Sequence, residues 1–276
     1  MIDLHSRMGA VALIDMFSDY QRGRGFSRST VKRRRVSLNA FAAHIAPLPL
    51  EQATPELVEE WVYAFETPST KHAYLADLRV FYKWAHRRQL VKANPCDRVD
   101  SIKVPRTLPR PVDAAMIPML VAMAPSHKLA LMVALAAYAG LRRAEIARLD
   151  YSDVNTSADP PTLTVRGGKG GKDRTIPVHP ALLRLLERRS SGSVCGVTAD
   201  TVGSSVADYL RSCGVDASIH QLRHTFATEA ARSAAGDAYL VAELLGHSKL
   251  DTTLQYVSLV GRDTAPVVSA MYGEVA

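Results

Sequence analysis

A tyrosine near the C-terminus follows a series of cationic and histidine motifs that could act together on a phosphate. Tyr256 comes nine residues after His247, which belongs to a Leu-Gly-His turn. Three motifs precede this pair: Gly140-Leu141-Arg142-Arg143-Ala144-Glu145, Gly168-Lys169-Gly170 and His220-Gln221-Leu222-Arg223. Two arginines, a lysine and two histidines could hold a phosphodiester and neutralise its transition state while a phenol attacks the phosphorus. The pattern therefore predicts strand cleavage without a metal ion.

Neither a nucleotide-binding loop nor a zinc site fits the residues present. A phosphate-binding loop of the form G-x-x-x-x-G-K-[ST] would need glycine at Arg166 and Ser or Thr at Asp173. A zinc pair on His220 and His224 would need glutamate directly after the first histidine, where the chain has Gln221. We therefore expect no metal ion and no cofactor. Taken alone, each motif is also compatible with an ordinary exposed charge or surface ion pair.

The composition favours a soluble protein with a polyanionic partner. The chain has 276 residues, of which 47% are hydrophobic and 22% charged, and its formal net charge is +7. Such a positive balance is typical of nucleic-acid-binding proteins, although solubility alone also explains a mild excess. Three widely spaced cysteines without a C-x-x-C pair indicate reduced thiols. The N-terminus lacks a signal pattern, and the apolar stretch 129–139 is shorter than the ~20 residues of a membrane span. We therefore expect a cytoplasmic protein without membrane contact.

A basic, proline-rich segment divides the chain. Residues 98–112 contain three prolines among lysines and arginines, and they lack helical periodicity. We predict three parts: a helical DNA-binding domain at 1–104, a linker at 105–112 and a second domain at 113–276. Amphipathic helices dominate both domains, and strands at 162–166 and 174–178 form a hairpin with Lys169 at its tip. The sequence therefore predicts a mainly α protein with a small β-sheet.

Six cations are candidate contacts to DNA. Ser29 or Thr30 is expected to cap a helix, which would place Lys32, Arg33 and Arg34 near its positive N-terminus. Cations there oppose the helix dipole at a cost of roughly a few tenths of a kcal/mol each, and a DNA phosphate would compensate them. A solvated basic face is the alternative. The other three candidates are Lys71 on a later helix and Lys103 and Arg106 in the proline-rich segment.

In their order along the chain, these motifs resemble those of the tyrosine recombinases, a family that includes phage integrases and Xer-type resolvases. The resemblance also includes the stretch 220–228, which reads His-Gln-Leu-Arg-His-Thr-Phe-Ala-Thr, and the residues Thr252 and Thr253 before Tyr256. It covers almost the whole chain, because Asn94-Pro95 and the basic segment after it are similar to the family's interdomain passage.

The resemblance implies a chemical role for each matching residue. Tyr256 would attack the phosphorus, displace a 5′-hydroxyl and leave a 3′-phosphotyrosyl link. Arg142 and Arg223 would hold the nonbridging oxygens, because a guanidinium donates two hydrogen bonds and stays charged. Lys169 would protonate the leaving 5′-oxygen.

The remaining matching residues would support this reaction. His220 would assist the removal of the phenolic proton, because a phenol with a pKa of ~10 is mostly protonated at neutral pH. His247 would donate a hydrogen bond to the phosphate, and Glu145 would support the site. The covalent link conserves the phosphodiester energy, so rejoining would need neither ATP nor another cofactor.

The resemblance also implies an architecture and partners. A helical SAM-like core-binding domain and a catalytic domain would close around DNA as a C-shaped clamp. Recombination would require a homotetramer, with four protomers on two double-stranded recombination sites, and accessory DNA-bending or directionality proteins could take part. The tail after Arg262 would pack either in cis or on a neighbouring protomer.

The first hypothesis is a site-specific recombinase, a compact integrase of a phage or another mobile element. A Xer-type resolvase of chromosome or plasmid dimers is the nearest alternative, and the motifs do not separate the two. A type IB topoisomerase shares the chemistry but would relax plasmid DNA without paired sites. A nonenzymatic DNA-binding protein is an alternative of a different class, and it requires DNA binding without a covalent adduct.

Overall fold

The computed structural model describes residues 9–105, 109–167, 173–187, 191–247 and 249–260. Its contacts divide the chain into two compact units, Met1–Thr107 and Leu108–Ala276. This division falls inside the segment 105–112, and the roles of the two units as a DNA-binding and a catalytic domain stay predictions. Helices dominate both units and a small sheet lies in the second, which confirms the predicted fold class.

Within its described residues, the first unit contains four α-helices around an aromatic core. The helices are α1 (Ala10–Gly23), α2 (Arg28–Ile45), α3 (Pro55–Tyr63) and α4 (Pro68–Arg87). Phe17 of α1 packs edge-on against Phe81 of α4, with ring centroids 5.3 Å apart, and Phe41 of α2 packs against Trp61 of α3 at 5.2 Å. Aromatic pairs of this kind supply much of the apolar area that holds such a small bundle together.

The cap of α2 lies before the predicted position. Ser27, not Ser29 or Thr30, caps this helix, because its backbone is extended and its Oγ accepts the N–H of Thr30 at 3.2 Å. Lys32 is therefore the fifth residue of the helix, beyond the first turn in which the helix dipole acts on a side chain. The prediction that these cations crowd the first turn is wrong.

An internal carboxylate compensates the two arginines that follow Lys32. Asp77 of α4 is almost fully buried and accepts hydrogen bonds from Ser37 Oγ and Arg33 Nη1, both at 2.8 Å. Arg34 Nε lies 3.6 Å from the same carboxylate, and its side chain is only 13% exposed. A buried carboxylate needs such partners because water cannot solvate it. Arg33 and Arg34 therefore have a structural partner within the unit, whereas Lys32 is exposed.

The second unit contains eight helices and a small sheet within its described residues. The helices are α5 (Ile117–Ala122), α6 (His127–Tyr138), α7 (Arg143–Arg148), α8 (Pro180–Leu186), α9 (Ala199–Ser212), α10 (Ile219–Ser233), α11 (Ala238–Leu245) and α12 (Asp251–Val260). The strands are β1 (Val154–Asn155), β2 (Thr162–Val165) and β3 (Arg174–Pro177).

The sheet is antiparallel in the order β1-β2-β3. In the register of β2 and β3, Thr162 pairs with Pro177 and Val165 pairs with Arg174. These two strands are the predicted hairpin, each one residue shorter than expected. The prediction missed β1, because two residues are too few to show an alternating pattern. The hairpin tip with Lys169 lies outside the described residues.

Helix α6 is the central element of the second unit. Its residues 130–137 are all buried, and it packs against α5, α8 and α10. A helix that is apolar on every side belongs in the interior of a domain, so the apolar stretch 129–139 forms part of the core. Within the described ranges, no helix combines the length and apolar composition needed to cross a membrane.

Helices α11 and α12 are held by a cluster separate from the main core. The cluster consists of buried residues of α10, α11 and α12: Ala227, Ala231, Ala238, Val241, Leu245, Tyr256 and Val257. Helix α12 packs on α10 and α11 through this cluster. Tyr256 is thus fixed to α10, the helix that also carries Arg223.

A glycine connects α6 to the arginine motif. Gly140 has a φ of +62°, and a Cβ at this position would lie 2.4 Å from Cδ1 of Phe226. The carbonyl of Gly140 accepts a hydrogen bond from Arg223 Nη1. Both the left-handed backbone and the close approach of Phe226 require glycine here.

We expect Gly140→Ala to lower the free energy of unfolding more than Gly196→Ala does. The two glycines have φ values of +62° and +61°, but a Cβ at Gly196 would meet nothing within 4 Å. The left-handed backbone costs about 1–2 kcal/mol at either position. The Phe226 clash adds about 1–3 kcal/mol at Gly140 alone. Urea unfolding measures both variants, and equal losses would contradict the close packing at Gly140.

Candidate active site

A cavity of the second unit brings together five of the six predicted catalytic residues. Its volume is about 230 Å³. It is lined by Arg142, His220, Arg223, His224, Gly246, His247, Thr252, Gln255 and Tyr256. The sixth predicted residue, Lys169, lies outside the described residues. The catalytic roles of these side chains stay predictions, but their convergence makes the cavity the candidate site.

Helix α10 positions three of the lining side chains. Its N-terminus is fixed by a capping box, in which the Gln221 side chain accepts the N–H of Ser218 at 3.0 Å. His220, Arg223 and His224 follow at helical spacings of three and four, so they share one face. A single rigid element therefore presents a guanidinium and two imidazoles to the cavity.

Arg223 is buried and ties three segments together. Its Nη1 donates to the carbonyl of Gly140, and its Nη2 donates to the carbonyl of Leu245 at 2.7 Å. The same Nη2 lies 3.2 Å from Nε2 of His247. Burial, and then the charge of Arg142, lower the pKa of Arg223 to about 9. The guanidinium therefore remains positive at pH 7 and is held in a fixed orientation.

Glu145 is the anion that the guanidinium groups share. Arg142 donates to it twice, from its backbone N–H at 2.9 Å and from Nη1 at 2.8 Å. Arg174 donates twice more, at 3.1 Å and 2.9 Å, and Arg223 Nη1 lies 3.9 Å away. Because the Glu145 side chain is only 2% exposed, these contacts form a buried network and not an ordinary surface ion pair.

The pKa of Glu145 reflects this network. Burial by itself raises the pKa, because it disfavours the charged carboxylate. The hydrogen bonds from Arg174 and Arg142 and the charge of Arg174 outweigh that effect and lower the pKa to about 2. The carboxylate is therefore ionised throughout the neutral range.

Sequence reasoning missed Arg174. This residue begins β3, its side chain is 8% exposed, and its Nε donates to the carbonyl of Leu244 at 3.1 Å. Its Nη1 would lie 2.9 Å from a Cβ at Gly246, which ends α11 with a φ of +62°. Arg174 thus joins the hairpin to Glu145 and to the turn before His247. The only sequence signal was a cation directly after the hairpin turn, which is also typical of an exposed strand end.

His247 lies between Arg223 and α12. Its Nε2 contacts Arg223, and its Nδ1 lies 2.8 Å from Oγ1 of Thr253. The ring is nearly parallel to that of Tyr256, with centroids 6.4 Å apart. The Leu-Gly-His turn therefore connects the cations to the helix that carries the tyrosine.

Tyr256 is buried, and its hydroxyl contacts a histidine that had no predicted role. The phenolic oxygen lies 2.6 Å from Nδ1 of His224, and Tyr256 as a whole is 3% exposed. The predicted partner, His220, lies one helical turn before His224, with ring centroids 5.7 Å apart. In the sequence, His224 was half of a rejected metal pair and part of the stretch 220–228, but no chemical role was predicted for it.

The ionisable groups of the cavity have shifted pKa values. Burial raises the pKa of Tyr256, although Arg223, a hydrogen bond with Gln255 and Arg142 oppose this. Burial, and then His220 and Arg223, lower the pKa of His224 to about 4. Burial, and then three arginines, also lower the pKa of His220. At neutral pH the phenol is therefore protonated and both imidazoles are neutral.

The predicted DNA contacts lie in several places. Lys32 lines a depression of about 670 Å³ in the first unit, together with Arg22, Arg28 and Arg35. Lys71 lies over the ring of Tyr63, 5.5 Å from its centroid. Lys103 is exposed, whereas Arg106 lies outside the described residues. The depression is larger than the candidate active site, and among its lining residues Arg22 pairs with Asp19 and Arg35 pairs with Asp15.

Comparisons with known proteins show the family to which the chain belongs. The sequence model that describes the phage integrase family matches residues 113–260 of this chain. Tyrosine recombinase XerA of Pyrococcus furiosus is 28% identical over 91% of this chain and 90% of that protein. Tyrosine recombinase XerC 2 of Ralstonia nicotianae is 30% identical over 84% of this chain and 77% of that protein.

A solved structure of lambda integrase has the same fold. The protein was crystallised as a tetramer bound to a Holliday junction, and it superimposes with a TM-score of 0.75. The similarity covers 94% of this chain and 80% of that chain, at 16% sequence identity. At this identity, the agreement concerns the fold.

Glu145→Gln should lower the free energy of unfolding by roughly 3–5 kcal/mol at pH 7, because buried guanidinium groups lose their shared anion. The pKa of Glu145 is lower in the folded protein (about 2) than in the unfolded chain (4.5), so the ionised carboxylate stabilises the fold. This stabilisation is complete above pH 4.5 and is lost as the pH falls towards about 2. The difference in the free energy of unfolding between wild type and Glu145→Gln should therefore become smaller as the pH falls over that range. Urea unfolding at several pH values measures it.

Asp208→Asn is the matched control for Glu145→Gln. Asp208 pairs with Arg211 on α9, and both side chains are about two-thirds exposed or more. Exposed pairs contribute about 0–1 kcal/mol, so this variant should unfold almost as wild type does. A Glu145→Gln protein as stable as the control at pH 7 would refute the shared-anion role.

Proposed function

Because this chain belongs to the phage integrase family of tyrosine recombinases, which cut and rejoin DNA, we propose that Tyr256 is the nucleophile of strand cleavage. The main support is the position of the phenolic oxygen. Tyr256 lines the same cavity as Arg142, Arg223, His220 and His247, and its oxygen contacts His224, which also lines it. A phosphate in this cavity would meet the hydroxyl and the guanidinium groups together.

The proposed reaction is an in-line displacement at phosphorus. The Tyr256 oxygen forms a bond to phosphorus, and the bond to the 5′-oxygen breaks, which leaves a 3′-phosphotyrosyl link. Arg142 and Arg223 hold the nonbridging oxygens, whose negative charge grows in the transition state. Following the family resemblance, Lys169 protonates the leaving oxygen and His247 donates a hydrogen bond to the phosphate. The protein itself supplies all these charges.

The biological role follows from which strands are rejoined. We propose integration of a phage or another mobile element as the first role. Resolution of chromosome or plasmid dimers is the second candidate, because relatives named XerA and XerC match most of this chain. Both roles use the same covalent intermediate, so the DNA sites and not the chemistry distinguish them.

The proposed assembly is a homotetramer on two double-stranded recombination sites. The lambda integrase tetramer on a Holliday junction, a protein of the same fold, supports this arrangement. Accessory DNA-bending or directionality proteins would then choose the direction of recombination. Within the first unit, the depression lined by Lys32 and three arginines is the proposed phosphate-backbone contact. Lys71, Lys103 and Arg106 are further proposed contacts.

Wild-type protein should form a covalent adduct with a nicked duplex library of randomised sequence in the presence of EDTA. Tyr256→Phe should form no adduct but keep its affinity for DNA, because it loses only the attacking oxygen. Tyr239→Phe is the matched control, because Tyr239 is 77% exposed and lies outside the cavity. Denaturing gels measure the adducts, and electrophoretic shifts measure binding.

The outcomes of this experiment separate the alternatives. An undiminished adduct in Tyr256→Phe would eliminate the proposed nucleophile. Sequence-specific binding by wild type without any adduct would favour a nonenzymatic DNA-binding protein. Sequencing the trapped DNA identifies the site, and its genomic position separates an attachment site from a dimer-resolution site.

Lys32→Ala should weaken DNA binding and make the slope of log K against log salt shallower by about 0.9, the amount expected for one phosphate contact. Lys32→Arg preserves the charge and should preserve the slope. Neither change should alter the free energy of unfolding by more than about 0.5 kcal/mol, because Lys32 is exposed. An unchanged slope in Lys32→Ala would show that this surface does not contact DNA.

A further inference from the structure

The structure assigns to His224 the role of the base that takes the phenolic proton of Tyr256, an inference that rests on the proposed cleavage reaction. The family resemblance implied this role for His220. In the structure, Nδ1 of His224 lies 2.6 Å from the phenolic oxygen, which is within direct proton-transfer distance. His224 therefore contacts a reacting atom.

Both partners of this contact are held by their helices. His224 is half-buried on α10, and Tyr256 is 3% exposed on α12. These two helices pack on each other, and the ring centroids of His224 and Tyr256 lie 5.5 Å apart. The hydrogen bond is thus formed between two packed elements before any substrate binds, and the lone pair of the attacking oxygen is oriented in advance.

The surroundings keep the His224 ring neutral. On its own helix, His220 and Arg223 face it; across the cavity lie Arg142, His247, Gln255 and Tyr256. Burial and the neighbouring cationic and imidazole groups lower the pKa of His224 to about 4. With its single proton on Nε2, the neutral ring accepts the phenolic O–H at Nδ1.

An incoming phosphate strengthens this base during the reaction. Its negative charge offsets the arginines that disfavour the imidazolium, so the pKa of His224 rises when DNA is bound. The phenolic proton becomes more acidic at the same time, because the oxygen is forming a bond to phosphorus. A weak base in the free protein is therefore strong enough at the moment of transfer.

The step balances as a proton transfer coupled to displacement. A lone pair of the Tyr256 oxygen forms the O–P bond, and the phenolic proton moves to Nδ1 of His224, which becomes an imidazolium. The P–O bond to the 5′-oxygen breaks, and its electron pair leaves with that oxygen, which is protonated by the proposed general acid Lys169. In religation, the 5′-hydroxyl attacks phosphorus and gives its proton back to Lys169. The bond between phosphorus and the Tyr256 oxygen breaks, and His224 returns its proton to that oxygen. His220, one turn earlier, is left to contact the phosphate beside Arg223.

The test compares His224→Asn with His220→Asn in single-turnover cleavage between about pH 6 and pH 9. Asparagine places an amide near the position of Nδ1, so it can orient the phenol but cannot take its proton. His224→Asn should cleave ~10²-fold or more slowly at pH 7. That loss should shrink about tenfold per pH unit as hydroxide removes the proton instead. His220→Asn should lose a constant factor across this range.

A substrate with sulfur in place of the bridging 5′-oxygen separates the two proton transfers. A thiolate leaves without a proton, so this substrate restores cleavage to variants that lack the general acid. The His224→Asn defect should persist on it. With the wild-type protein on the same substrate, cleavage should be slower in deuterium oxide, because the phenolic proton still moves. This second measurement does not depend on the folding of any variant.

Each outcome decides between the inference and the proposed function. Wild-type cleavage together with a His224→Asn rate within twofold of it, or a deficit that does not change with pH, would overturn the role of His224 as the base. The absence of an isotope effect on the sulfur substrate would overturn it as well. If wild type itself forms no adduct with any DNA, the proposed function fails first.

Discussion

A buried carboxylate makes it possible for the guanidinium groups of the site to converge. Arg142 and Arg223 line one cavity, and two positive charges that lie close together in a largely buried site repel each other and lose part of their hydration. Glu145 offsets that repulsion, and its oxygens accept four hydrogen bonds from Arg142 and Arg174. Arg223 donates from Nη1 to the carbonyl of Gly140 and from Nη2 to the carbonyl of Leu245. The cavity thus keeps a positive charge while its cations stay in place without a ligand.

The sequence alone was sufficient to identify those residues of the site that belong to short motifs. Arg142, His220, Arg223, His247 and Tyr256 were found from residue type and order, and the hairpin was found from alternation and glycines. Arg174 could not be found in this way, because its partner Glu145 lies 29 positions earlier and a cation at a strand end is usually solvated. His224 was visible, but its contact with Tyr256 depends on the packing of α10 against α12.

The error at the start of α2 has a similar origin. Ser27, Ser29 and Thr30 are all suitable capping residues, and the choice between them depends on backbone angles that composition does not specify. The neutralising partner of Arg33 and Arg34 lies 40 or more positions away, at Asp77. Charge patterns along the chain therefore predicted a cationic helix correctly, but they could not tell an internal partner from an external one.

The cluster that holds α12 has a mechanical consequence. Helix α12 packs on α10 and α11 through Tyr256, Val257 and five aliphatic residues, apart from the main core around α6. Cooperative units that bury little apolar surface open at a lower free energy than the global transition. Opening of α12 would break the Tyr256 contact to His224, while the Glu145 network, which lies on other elements, would remain assembled. A protein with α12 open would therefore keep its cationic cavity while the Tyr256 hydroxyl is withdrawn, so the charge and the hydroxyl of this cavity are mechanically separable.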